Sequence, residues 1–285
     1  MAEKIDLHTH TTASDGSLTP PELVDRALSL GFSAIAITDH DTVSGVLPAC
    51  VHAEKTPLTV IPGVEMGAQY TGEMHILGLG VDSQEPVFLS ALAQLRDARK
   101  ERNRRMVEKL QGLGLPVSWA DIAAGHEESV IGRAHMAHAL IQNGVVPNLA
   151  QAFEKYLGEG KKAYVERMRF TPSQTIDLIH QAGGLSVLAH PVQLELDEPA
   201  LYAVCKALKD RGLWGIEAYH PMHSNSETAA YCRLARRLGL MITGGSDFHG
   251  LNKPDVELGD SVVQCAELEK AMHALKAVSC RRNVN

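Results

Sequence analysis

Short apolar runs alternate with longer amphipathic stretches along most of this chain, and nearly every run ends in a histidine or a carboxylate. Ile5-Asp6-Leu7 leads straight into His8-Thr9-His10. Thr19, as an N-cap, opens a helix with proline in its first turn and Leu23, Ala27, Leu28 and Leu30 on one face; Gly31 ends it. Ser33-Ala34-Ile35-Ala36-Ile37-Thr38 is a continuous apolar run, the mark of a parallel strand covered on both faces, and it ends in Asp39-His40-Asp41. A helix near 45–55 and strands over 58–65 and 73–79 follow, the last two containing Glu65 and His75.

The unit returns later. A helix capped by Thr171 runs to Ala182, and Leu185-Ser186-Val187-Leu188-Ala189 ends in His190-Pro191. A helix over 199–211 precedes Gly215-Ile216-Glu217-Ala218-Tyr219 and His220-Pro221; another over 226–238 precedes an apolar run that ends in Asp247-Phe248-His249. This alternation predicts an α/β barrel of parallel strands. Such barrels carry their chemistry at the C-terminal strand ends, where all these histidines and carboxylates are expected.

Between residues 96 and 170 the pattern breaks into helices, the first predicted over 96–112. That stretch holds 13 Lys/Arg against 9 Asp/Glu, while the rest holds 14 against 25, so a basic helical insertion (96–170) is expected within an acidic barrel (1–95 and 171–285). The positive charges from Arg99 to Lys109 read as a solvated helix face. With 285 residues, 45% hydrophobic and 21% charged, the chain is expected to form one large globular domain carrying an insertion. A net charge of -7 argues against coating long nucleic acid, and no 18-residue apolar run suits a membrane span. Met1-Ala2-Glu3-Lys4 enters the first strand without a signal-peptide stretch, and the five cysteines form no C-x-x-C pair; both predict a cytoplasmic protein with reduced thiols.

Residues two apart on a strand point the same way, so His8 and His10 can grip one ion together, with Asp15 folding back from the next turn. His8, His10, Asp15, His40, Glu65, His75, His190, Asp247 and His249 form a ligand set large enough for two or three ions. Mixed imidazole and carboxylate donors without cysteine suit Mn, Zn or Fe. Closely spaced ions of this kind clamp a hydroxide and the oxygens of a phosphate or carbonyl group.

His8-Thr9-His10 with Asp15, Ile37-Thr38-Asp39-His40-Asp41, Gly63-Val64-Glu65, His75-Ile76-Leu77-Gly78, Ala189-His190-Pro191 and Gly245-Ser246-Asp247-Phe248-His249 resemble, in order, the motifs of the PHP (polymerase and histidinol phosphatase) family. The resemblance implies a distorted (β/α)7 barrel, amidohydrolase-like, with a trinuclear metal centre, Mn by preference. It implies His8, His10, Glu65 and Asp247 on one ion; Glu65 bridging to a second with His75 and His190; and Asp15, His40 and His249 on the third. Stretches 131–135 and 156–165 are similar to stand-alone members acting on nucleoside 3',5'-bisphosphates and the 5' ends of short oligonucleotides. The expected reaction is therefore removal of the 3'-phosphate by a hydroxide held between ions, with Glu65 and Asp247 central and His220 as general acid or hydrogen-bonding group. Arg133 and Lys161, in the basic insertion beside glycines, are the expected phosphate contacts, with Ser129 a further candidate. A 5'-3' exonuclease, a histidinol-phosphate phosphatase and a non-catalytic PHP module are the alternatives. His135 and His138 read as ordinary helix histidines, and Asp39 and Asp41 as groups that orient His40 or cap a helix.

Overall fold

The computed structural model describes residues 4–123, 130–260 and 266–279. Seven strands, β1 (Ile5–Thr9), β2 (Ala34–Ile37), β3 (Thr59–Ala68), β4 (Met74–Leu79), β5 (Leu185–Leu188), β6 (Gly215–Tyr219) and β7 (Met241–Gly244), pair in sequence order into a distorted, nearly closed barrel. Helices α1 (Pro20–Ser29) and α2 (Val46–Ala53) follow β1 and β2. The next, α3 (Pro86–Gly112), leaves β4 and leads into α4 (Trp119–Ala123), α5 (Arg133–Gln142) and α6 (Leu149–Ala152). The barrel resumes through α7 (Pro172–Gln181), α8 (Glu198–Asp210) and α9 (Asn225–Leu238), and α10 (Ala266–Ser279) comes last. Capping boxes at Thr19/Glu22, Thr171/Gln174 and Ser224/Glu227 start α1, α7 and α9, so side chains satisfy amide donors that the first turn leaves open.

The barrel is not wholly parallel. β4 runs antiparallel to both β3 and β5. Only a short turn through Thr71 and Gly72 joins β3 to β4, which is too little chain for the crossover that a parallel neighbour requires. His75 therefore sits at the N-terminal end of its strand. Because that strand is reversed, its N-terminal end lies at the same mouth as the C-terminal ends of the others, and His75 still meets its partners.

Alternation sorts the side chains. Ala34 and Ala36, Ile61, Leu77 and Leu79, and Val187 and Ala189 pack inside with Leu268, Ala271, Met272 and Leu275 of α10, a helix absent from the sequence-based expectation. Continuing the same parity towards the mouth gives His40, Glu65, His75 and Glu217. On β1 the register shifts between Asp6 and Thr9, and this irregularity brings His8 and His10 to the interior although Ile5 and Leu7 already face it.

The first half of α3 belongs to the barrel core through Phe88, Leu92 and Leu95, and the second half packs through Met106, Val107 and Leu110 into a separate apolar cluster. The helix thus starts ten residues before the expected 96, where Glu85 caps it and Pro86 occupies its first turn.

Closure between β7 and β1 uses polar contacts more than strand ladder. An isolated bridge links Thr9 to Phe248, and Asp247 N donates to His8 O at 2.9 Å. Buried Asp6 accepts from the amides of His8, Ser246 and Gly259 and from Ser246 Oγ. Gly245 passes so close that an added Cβ would lie 2.3 Å from His8 Cβ, so no larger residue fits there. Replacing Asp6 by Ala strands buried donors, each worth roughly 1–3 kcal/mol. Urea unfolding should therefore show a large loss of stability for Asp6→Ala, and a smaller one for Asp6→Asn, which keeps one accepting oxygen.

Candidate metal centre

Imidazoles from four strands converge on one buried carboxylate. Glu65 Oε1 faces His75 Nδ1 at 2.7 Å and His190 Nε2 at 2.9 Å. Its Oε2 faces His8 Nε2 at 3.3 Å, His10 Nε2 at 3.2 Å and His40 Nδ1 at 3.0 Å. Asp247 Oδ1 lies 3.5 Å from His8 Nε2 and 3.2 Å from His10 Nε2. Asp15 takes the other side, 3.2 Å from His249 Nε2 and 3.7 Å from His40 Nε2. All nine expected ligands are thus brought together.

Three subsets bring their donor atoms within 4.8 Å of one another: His8, His10, Glu65 and Asp247; His10, Asp15, His40 and His249; and His40, Glu65 and His75. The first two contain the expected first and third groups. His190 meets the second group through Glu65 Oε1.

These donors fit divalent cations on their own chemistry. His8 Nε2, His10 Nε2, His40 Nδ1 and Asp15 Oδ1 are buried without a hydrogen-bond partner, although buried polar atoms are normally satisfied. The opposite ring nitrogens are held where the tautomer matters. His8 Nδ1 meets Glu217 Oε1 at 3.1 Å, and His249 Nδ1 donates to Asp247 O at 2.8 Å. Each outer nitrogen thereby keeps its proton and turns a lone pair inward, the arrangement found behind metal-bound histidines.

The electrostatics agree. Burial would raise Glu65, Asp15 and Asp247, but the surrounding histidines hold all three well below the usual carboxylate range. Burial opposes a charge on His10, yet Asp247 and Glu65 pull it up to about 10. Protons here occupy positions that cations contest.

His220 differs from the ligands. Its Nδ1 accepts from Met222 N at 3.1 Å, so Nε2 carries the hydrogen and points at Asp247 Oδ2, 3.6 Å away. It is a donor rather than a lone pair. Asp247, His190 and Asp41 hold left-handed φ of 56°, 24° and 53°, a strained conformation for non-glycine residues that concentrates at this mouth.

Arg133 and Lys161 line one cleft of about 1490 Å³ together with His75 and Glu73, and Ser129 lies outside the described residues. Arg133 is bonded to Glu73 and lies over the rings of Phe153 and Tyr164, at 5.6 and 5.9 Å from their centroids. His135 Nδ1 accepts from Gly132 N at the start of α5.

Two expectations are corrected. Asp39 does not orient His40; it accepts from Thr11 and Ser14 and pins the loop after β1, while Asp41 binds Arg99 and Arg167. Nor is the run from Arg99 to Lys109 wholly solvated, since Arg99 and Arg102 are 8% and 3% exposed.

Other functional groups escaped the sequence reading. Glu217 binds His8 and accepts from His190 N at 2.8 Å; its signal was a lone carboxylate within the apolar run Gly215–Tyr219. Lys253 Nζ lies 2.8 Å from Asp247 Oδ2. Arg167 meets Asp41 at 3.2 Å and Arg169 lies 4.0 Å from Glu73, and Arg99 and Arg102 are neighbours on one helix face.

A family model of the PHP domain matches residues 6–169. The chain belongs to the PHP family. It is 37% identical over 257 residues to the 5'-3' exoribonuclease Rnm of Salmonella typhimurium, a match spanning 89% of this chain and 87% of the relative. It is 32% identical over 262 residues to the 3',5'-nucleoside bisphosphate phosphatase of Chromobacterium violaceum, spanning 90% of each. A solved amidohydrolase from Chromobacterium violaceum, with bound sulfate and no metal, superposes with a TM-score of 0.90 at 30% identity over 96% of both chains. The chain is accordingly a PHP-family phosphoesterase, a hydrolase of phosphoric esters whose His, Asp and Glu clusters can hold divalent metal ions. Among the described residues, no helix is long and apolar enough to cross a membrane.

Glu217→Gln loosens His8 and the backbone at His190 without touching a ligand atom. Loss of such a supporting group typically weakens metal binding about 10- to 100-fold, which a titration with Mn²⁺ should register in a protein of unchanged circular dichroism. Asp15→Ala and His249→Ala should lower metal content by the same amount on elemental analysis, because both belong to one cluster only, and His40→Ala, which belongs to two, should lower it at least as much.

Proposed function

We propose that this phosphoesterase removes the 3'-phosphate of nucleoside 3',5'-bisphosphates. The supporting observation is a surplus of guanidinium charge beside the metal cluster. Arg99 and Arg167 share Asp41, and Arg133 and Arg169 share Glu73, while Arg102 has no carboxylate partner among the described residues. Burial and the neighbouring Arg99, Arg133, Arg167 and Arg169 push Arg102 well below its ordinary value. Concentrating such charge away from water is costly unless an anion neutralises it. Gly67 keeps the two regions in touch: a Cβ there would lie 3.0 Å from Arg167 Nη2 and 3.5 Å from His75 Cδ2.

A bisphosphate satisfies both regions, with its 3'-phosphate at the Glu65 cluster and its 5'-phosphate against Arg133, Lys161 and the neighbouring arginines. Planar guanidinium groups suit a terminal phosphate because they bond it in pairs. The residues assigned to three ions, Mn by preference, are His8, His10, Glu65 and Asp247; Glu65, His75 and His190; and Asp15, His40 and His249. The bound ions supply Lewis acidity for the phosphoryl oxygens and for water. Glu65 spans two of these groups with its two oxygens. His220 Nε2–H, buried and without a hydrogen-bond partner of its own, donates a hydrogen bond to the departing 3'-oxygen. The insertion, 96–170, caps the substrate.

A second reading uses the same site. The cleft of about 1490 Å³ exceeds the roughly 300–1,000 Å³ of ordinary small-molecule pockets. Cutting a 5'-phosphorylated oligonucleotide after its first nucleotide breaks the same 3'-oxygen–phosphorus bond, with the remaining chain in the open cleft. Short oligonucleotides are therefore the alternative substrates.

Arg133→Ala and Lys161→Ala should each lower kcat/KM on a nucleoside 3',5'-bisphosphate by roughly ten- to a hundredfold, the value of a charge-assisted hydrogen bond. Turnover of p-nitrophenyl phosphate, which has no second phosphate, should change little. Equal losses on both substrates would remove the argument for the bisphosphate.

A further inference from the structure

One anion already sits among the cations that the substrate's second phosphate is assigned to. The Glu73 carboxylate is bonded to Arg133 through Oε1, lies 4.0 Å from Arg169 through Oε2, and lies 3.7 Å from His75 Nε2. It lines the same cleft as Arg133 and Lys161 and is 29% exposed, so an incoming group can reach it.

The surroundings of Arg133 distinguish a competitor from a mere positioning group. Its guanidinium lies over the rings of both Phe153 and Tyr164 and begins α5, whose buried face packs into the insertion's own core. Cation–π contact and backbone placement keep the group near the cleft without Glu73. What Glu73 adds is negative charge, at a place where a phosphate oxygen would bond to the same nitrogens.

We infer that Glu73 is a built-in counter-anion that fills the phosphate subsite until a terminal phosphate displaces it from Arg133. This rests on the assignment of Arg133 to the phosphate that is not cleaved. A dianionic phosphate can add Lys161 to Arg133 and Arg169, whereas the carboxylate meets the two arginines and His75 but is not paired with Lys161, so exchange favours the phosphate. The same exchange weakens retention of the product's 5'-phosphate, because the displaced carboxylate competes for its old partner. Glu73 therefore sets the affinity of the subsite and acts on binding rather than on the bond that breaks.

The test compares adenosine 5'-monophosphate with adenosine as competitive inhibitors of the metal-loaded enzyme. The ratio of their inhibition constants isolates the phosphate. In Glu73→Gln, adenosine 5'-monophosphate should bind roughly tenfold or more tighter while adenosine is unchanged, since a charge-assisted bond is freed for the ligand. Glu73→Asp, which restores the charge, should return the ratio towards that of the unaltered enzyme. A ratio unchanged or reduced in Glu73→Gln overturns the inference. Arg133→Ala separates the two possible failures. If it weakens adenosine 5'-monophosphate selectively while Glu73→Gln does not tighten it, Glu73 is only a structural partner and the subsite stands. If Arg133→Ala leaves the ratio unchanged, the subsite assignment falls and the role of Glu73 with it.

Discussion

A carboxylate with no access to water can keep its charge only if something of opposite sign comes to it. Glu65 is 1% exposed, and five histidines carried by four strands meet its two oxygens. Its backbone is committed as well, since Glu65 N donates to Asp39 O and Glu65 O accepts from Asp41 N. That pair of bonds ties the end of β2 to the middle of β3, so His40 cannot drift from the carboxylate. Around this point lies a layer that fixes ring orientation, with Glu217 behind His8 and the Asp247 carbonyl behind His249. Weakening any member leaves a buried charge short of partners, which is far more expensive than losing a surface ion pair.

The reversed β4 and the place of the insertion follow from one another. Because β3 and β4 form a hairpin, no crossover helix lies between them, and β4 ends at the opposite pole from the mouth. The chain leaves there, and α3 runs for 27 residues from the barrel core into a second apolar cluster. Asp41 fastens this assembly by binding Arg99 of α3 and Arg167 of the returning segment. His40 beside it faces Glu65. A left-handed residue at Asp41 lets consecutive side chains serve the two regions, and the strain of that conformation is held by the ion pairs it makes possible.

The candidate metal donors other than Asp15 were legible in the sequence because they stand just beyond, or within, an apolar run where a charged or imidazole group has no packing role; Asp15 stands in a polar turn and was picked out by its nearness to His8 and His10. Glu217 satisfied the same criterion and was passed over; it had no histidine beside it and belonged to no recognised motif. Strand direction was less visible, since an apolar run reads the same either way. The sole clue to β4 was the shortness of the link from Ala68 to Met74. The arginines were hidden for a different physical reason. Charge on a helix ordinarily faces water, and the spacing of Arg99 and Arg102 describes a common face without saying what that face meets. Only the docking of α3 against Asp41 and Gly132 turns the face inward: a Cβ on Gly132 would lie 3.4 Å from Arg99 Nη1. The beginning of α3 was obscured in turn by apolar residues 87–95, which suit a barrel strand or helix equally well.

Division of labour between the barrel and the insertion explains how selectivity can change while the bond-breaking groups stay fixed. Cations at the Glu65 cluster attract any phosphoryl oxygen, so by themselves they distinguish poorly among esters. Discrimination needs a second contact at a set distance, and binding energy gained there can be used at the reacting group only if the substrate reaches both places. Anchoring a 5'-phosphate at Arg133 would present the 3'-linked phosphorus to the barrel whether it carries a free phosphate or the next nucleotide. Under the proposed function such an anchor would select the bond, and the open cleft would admit what lies beyond it. Substitutions along α5 and the 158–169 segment that leave the Asp41 and Glu73 ion pairs and the bare backbone of Gly67 in place would then alter substrate length or anion preference without disturbing Glu65.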